Sequence, residues 1–221
     1  MKNCNAPENR TTRRMPSIAC AAALTAAFTV LLPQPVHAQR VVPPPVPTNI
    51  QVPAGNRAFL EGHAVGTQNY ICVPKGSGVA FVLFTPQATL FSDDDKEVTT
   101  HYFSPNPFEN PPPPGQFSDG TVRATWQHSR DTSTVWGKVV PGDSSSDSAF
   151  VAPGAIAWLR VTVVGVEAGP TGGDALTATT FIQRLNTSGG VAPSTGCASL
   201  TDVGNQAFVP YTADYFFYTD H

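Results

Sequence analysis

Beyond its first quarter the chain is a succession of short β-patterned runs cut by glycine and proline turns, and nothing after Ala38 carries a 3.6-residue apolar stripe. Residues 67–73 alternate, with Gln68, Tyr70 and Cys72 on one face and Asn69, Ile71 and Val73 on the other. Residues 79–85 form an unbroken apolar run, suited to a strand buried on both faces. Residues 87–91 lead into the turn Ser92-Asp93-Asp94-Asp95-Lys96, and 97–103 return as the second arm of a hairpin. Residues 121–127, 134–140, 155–166, 176–185 and 213–219 read as further strands, and the prolines of 104–116 predict a loop. The expected fold is all-β: a single-domain sandwich or barrel of about nine or ten short strands over residues 56–221.

Composition narrows this further. Hydrophobic residues at 41% are enough for a core, which excludes wholesale disorder. Charged residues at 13% are too few for a coiled coil or long helical bundle.

Residues 1–38 read as a secretory signal. Arg10, Arg13 and Arg14 form a basic start, an apolar run reaches from Ile18 to Leu32, and Val36-His37-Ala38 offers small residues at a cleavage site. The apolar run is shorter than the roughly 20 residues of a membrane-spanning helix, and no other segment is long and apolar enough to span. Residues 39–55 are a Pro-rich leader, expected to be extended and exposed.

Cleavage after Ala38 leaves nine basic and fifteen acidic residues, a net charge of 9 − 15 = −6. That balance argues against nucleic acid as a partner, because phosphate binding needs a basic face. It also leaves two cysteines, Cys72 and Cys197, which an oxidising compartment would join. Such a bridge would close a long loop, stabilising by about 4–5 kcal/mol in the chain-entropy account.

Several segments resemble a known family. Leu60-Glu61-Gly62 precedes Gly66-Thr67-Gln68-Asn69-Tyr70-Ile71-Cys72, and Ile156-Ala157-Trp158-Leu159 follows in the middle of the chain. Then come Phe181-Ile182-Gln183-Arg184-Leu185, Gly196-Cys197 and Val209-Pro210-Tyr211-Thr212-Ala213-Asp214-Tyr215. This order is similar to the secreted bacterial and fungal proteins grouped as domain of unknown function family 3455. The resemblance implies export and a compact domain but no settled activity. Some fungal members carry the label malate dehydrogenase, yet this chain has no GxGxxG opening a helix after a strand. Members often place a His before a Gly-Pro-x-Trp-like loop and an Asp-Gly-Ser turn. The corresponding residues here are His101, Ser104-Pro105 with Phe108, and Asp119-Gly120-Thr121.

Motifs for covalent chemistry are missing: there is no GxSxG, no HExxH and no phosphate-binding glycine loop. His63, His101, His128 and His221 are not spaced as metal ligands, although a β-fold could still gather His63, His101 and Asp119. No metal and no cofactor is expected. The catalytic candidates are His101 and Asp119. The binding candidates are Gln68, Tyr70, Arg184, Asp214 and Tyr215. Arg184 shares a strand face with Ile182, so it needs a partner if buried, and Asp214 in the apolar terminal strand is the expected one.

The leading functional expectation is a secreted or periplasmic binding or envelope-associated protein, without catalysis, whose partner is a small molecule or glycan. A hydrolase using His101 with a carboxylate, and a small structural protein without a pocket, are the alternatives. A deep pocket joining His101 to an acid would favour the hydrolase.

Overall fold

The computed structural model describes residues 40–109 and 120–220. The expected signal segment, Asp119 and His221 lie outside these residues. Nine strands occur in order: β1 (Asn56–Lys75), β2 (Gly78–Phe91), β3 (Glu97–Asn106), β4 (Thr121–His128), β5 (Thr134–Lys138), β6 (Ser144–Ser145), β7 (Trp158–Glu167), β8 (Phe181–Gly189) and β9 (Gln206–Asp220). Every pairing is antiparallel. Neighbours follow chain order, except that β5 pairs with β7 and the two-residue β6 lies outside that junction. The β9–β1 ladder completes the ring, so the fold is an eight-stranded up-and-down barrel with one extra strand. Closure removes the open edges that a sandwich would have to protect.

Alternation decides what fills the barrel. In β9, Ala213, Tyr215 and Phe217 point inward, and inward residues of β8 and β2 include Ile182 and Leu90. With Val135, Val161 and Leu176 they pack one end of the barrel solid. Buried aliphatic and aromatic side chains of this size each contribute about 1.5–3 kcal/mol.

The terminal strand is apolar on its other face as well. Phe216 and Tyr218, with Leu185 of β8, point outward and are buried all the same, under Ile50, Val151 and Trp158. The Pro-rich leader therefore differs from the sequence expectation: it is seated on the barrel wall. Ile50 is fully buried, Val41, Val46 and Val52 pack beside it, and Gln183 Nε2 donates to the Ile50 carbonyl at 2.7 Å. Arg160 anchors the same region, donating to Asp143 and to the Gln51 carbonyl. The leader is held because it covers the second apolar face of β9, which alternation alone would leave wet.

The 104–116 reading needs one amendment. β3 runs through Pro105 to Asn106, with Pro105 opposite Val122 of β4. A strand proline is tolerated here because the β2–β3 ladder extends only to Ala88 and His101, so no ladder partner loses a donor. Disulfide Cys72–Cys197 is formed and ties β1 to the β8–β9 loop. Among the described residues no helix is long and apolar enough to cross a membrane.

Candidate functional site

Opposite the packed end, the barrel holds a cavity of about 560 Å³ to which all eight barrel strands contribute. That size lies in the range of about 300–1,000 Å³ typical of small-molecule sites, which often occupy barrel mouths. Small residues leave the room: Ala124, Gly137 and Ala157 stand where larger side chains would intrude. A Cβ at Gly137 would come within 2.4 Å of Val161 Cγ1 and 3.6 Å of the Trp126 ring. A bulge in β2 at Phe84 lets Leu83 and Pro86 both face inward. Val122, Val139 and Val191 form an exposed apolar rim.

The deep wall is aromatic and polar. His101 of β3 stacks on Trp126 of β4 with ring centroids 4.2 Å apart, and Tyr215 of β9 meets the Trp126 ring edge-on at 5.7 Å. His101 Nδ1 donates to the Thr125 carbonyl at 2.8 Å. Burial holds this imidazole neutral, with its pKa pushed down to about 3. Tyr215 and Tyr211 are both raised by burial, and their hydroxyls lie 3.3 Å apart. Tyr70 donates to the Gly190 carbonyl at 2.6 Å, fixing β1 to the turn after β8.

Arg184 lies at the centre of this wall. It stands opposite Tyr215 in the β8–β9 ladder, and its Nε and Nη2 donate to the Ala157 carbonyl at 3.3 and 2.8 Å. Its field opposes the burial that raises the pKa values of Tyr70, Tyr211 and Tyr215, and adds to the burial that lowers that of His101. Among the described residues it has no carboxylate partner, and none of those lining the cavity is acidic. Gln68 is buried against Tyr211, whose pKa its side chain lowers by hydrogen bonding; among the described residues the buried Trp126 Nε1 has no partner.

Of the residues singled out in the sequence, Gln68, Tyr70, His101, Arg184 and Tyr215 all line this cavity. Asp214 does not, and the expected Arg184–Asp214 pair is corrected. Side chains alternate along β9, so Tyr215 faces in and Asp214 faces out. Asp214 Oδ1 meets His63 Nδ1 at 2.7 Å, and its Oδ2 accepts from Asn186 Nδ2 at 2.8 Å. His63 and His101 are likewise on opposite sides of the wall, so these two are not brought together, and Asp119 lies outside the described residues. Trp126, Phe103 and Leu159 were not singled out. The alternation Val122, Ala124, Trp126 was the signal that could have placed Trp126 on the inner face.

The outer cluster is polar and solvated. His63 Nε2 also meets Asp93 Oδ1 at 2.8 Å, and Glu61 lies close enough that Glu61, His63 and Asp214 could share a cation. Hydrogen bonds to Asp214 and Asp93 raise the His63 pKa, which favours an imidazolium over a metal-binding neutral ring.

The fold and cavity define a class, closed antiparallel barrels with a small-molecule-sized interior. Residues 53–219 match the family described as protein of unknown function, DUF3455, and the chain belongs to that family. No curated protein and no solved structure matches this chain.

Proposed function

We propose that this protein is exported and holds one small, largely apolar molecule inside its barrel, without transforming it. The observation that carries this reading is the cavity itself. The barrel is packed solid at one end, whereas the other is kept open by Ala124, Gly137 and Ala157 and rimmed by exposed valines. Residues 1–38 and the Cys72–Cys197 disulfide support export. An apolar lining with few polar groups suits an apolar body better than a glycan. The hydrolase alternative is weaker. It asks for a base near neutral pH beside an acid, and His101 is held neutral with its Nδ1 on a backbone carbonyl and no acidic residue among the described cavity lining.

The test is a titration of the exported protein with a neutral fluorescent probe, aminoanthracene, in parallel with Leu159→Trp. Leu159 faces the cavity, so the larger ring should intrude into it and block a ligand's seat. The expected result is saturable one-to-one binding by the native protein and its loss in a variant that retains its β-sheet spectrum. Equal binding by both proteins, or none by the native one, would overturn the reading.

A further inference from the structure

Resting on that reading, we infer that the cavity is built for an organic acid: a monocarboxylate whose charged head meets Arg184 and whose apolar body lies toward Leu83, Phe103 and Val122. Charge is distributed unevenly between the chain and its cavity. The chain as a whole is acidic, with a formal net charge of −3, yet the charged residues lining the cavity among those described are Arg123, Lys138 and Arg184. Arg123 is spoken for, since its Nε and Nη2 donate to Glu109 at 2.6 and 2.8 Å. Lys138 is exposed at the rim. Arg184 alone is both deep and without an anion.

A guanidinium has five N–H donors in a planar fork. Two of those of Arg184 converge on one carbonyl, Ala157 O, and the Tyr215 hydroxyl stands beside it. Partly buried cations are usually matched by a carboxylate, because the cost of leaving water is otherwise not recovered. Gln68 is 2% exposed and Trp126 1% exposed, and Gln68 Nε2 and Trp126 Nε1 are closed off from the cavity space, so the guanidinium is the group left to meet a ligand's head. A cation with donors only calls for an acceptor-only group. A carboxylate is acceptor-only and fits the guanidinium fork in a bidentate manner. An alcohol or amide would bring a donor and no charge to meet the guanidinium. Lys138 at the rim is solvated, and the described rim is otherwise apolar, with Val122, Val139 and Val191 exposed, which assigns the apolar body to that end.

The test compares acids with their uncharged counterparts by calorimetry at neutral pH. Octanoate is set against octanol and octanamide, and cinnamate against cinnamyl alcohol and cinnamamide, with native protein and Arg184→Met. The two series distinguish an aliphatic from an aromatic body. The expected result is an acid bound about tenfold or more tightly than its alcohol, as one charge-assisted pair allows. In Arg184→Met the preference should collapse to about twofold or less while alcohol binding persists. Arg184→Lys should retain part of it, since the charge stays and the fork is lost. Alcohols binding as well as acids to native protein would overturn this inference and leave the binding reading standing. No binding of either class would overturn both. The native comparison needs no variant, so a variant that fails to fold does not rescue the claim.

Discussion

Arg184 and Tyr215 stand opposite each other across the β8–β9 ladder and face the barrel interior together, while Asp214, one residue before Tyr215, faces the outer surface and His63. A cation and an anion on adjacent strands are thus separated by the sheet itself. The wall sorts charge: donors gather within, and carboxylates with a histidine gather without.

This sorting predicts independence. Arg184→Met and Asp214→Asn should have additive effects on thermal unfolding, within about 0.5 kcal/mol. Arg184→Met alone should cost about 1–3 kcal/mol, because it removes the two hydrogen bonds to the Ala157 carbonyl. A coupling of several kcal/mol in the double-mutant cycle would mean that the two side chains meet, against the geometry described.

His63 should make stability depend on pH. Asp214 and Asp93 raise its pKa above the ordinary 6.5 in the folded state. A raised value means the stabilisation is fully present below the unfolded value and is lost as pH rises through the folded one. The melting temperature should therefore fall as pH is taken upward from about 6.5, and His63→Gln should flatten that slope. The side chain is 41% exposed, so the effect is modest. Parallel profiles for the two proteins would remove His63 from the account.

The disulfide should control both stability and the cavity mouth. Cys72 lies two residues from Tyr70, and Cys197 sits in the loop whose Val191 and Ala192 join the rim. The β1 backbone is bonded to the same loop, Cys72 N to Asn205 O at 2.8 Å and Gly204 N to Cys72 O at 3.0 Å. Replacing both cysteines by alanine should cost about 2–4 kcal/mol and speed release of a bound probe in stopped-flow displacement. Unchanged release from a destabilised protein would confine the bridge to a structural role.

The inner face was legible in the sequence where polar and apolar residues alternate. The pattern of Gln68 and Tyr70 put both on one face, and Ile182 with Arg184 on another, and both pairs point inward. Alternation failed in β9, where Tyr215, Phe216, Phe217 and Tyr218 are all buried. Both faces of that strand are covered, one by the barrel core and one by Ile50 and its neighbours, so polarity could not tell in from out. Asp214 was misassigned for that reason. Barrel and sandwich could not be told apart either, because closure rests on β5 pairing with β7 past an intervening β6, a contact with no local sequence signal. The cavity was hidden as well. Empty space arises from where Ala124, Gly137 and Ala157 sit relative to Trp126 and Val161, which only the closed register fixes.

The central claim is that a small molecule enters the barrel, and the three tryptophans supply the most direct measurement. Trp126 faces the cavity, whereas Trp136 donates its Nε1–H to Ser104 at 2.9 Å on the outer side and Trp158 lies under the leader. In nitrogen-15 correlated spectra the three indole N–H signals report separately. Titration with octanoate or cinnamate should shift the Trp126 signal strongly and saturably, leaving those of Trp136 and Trp158 in place. A Trp126 signal that stays fixed while either outer indole moves would contradict the account.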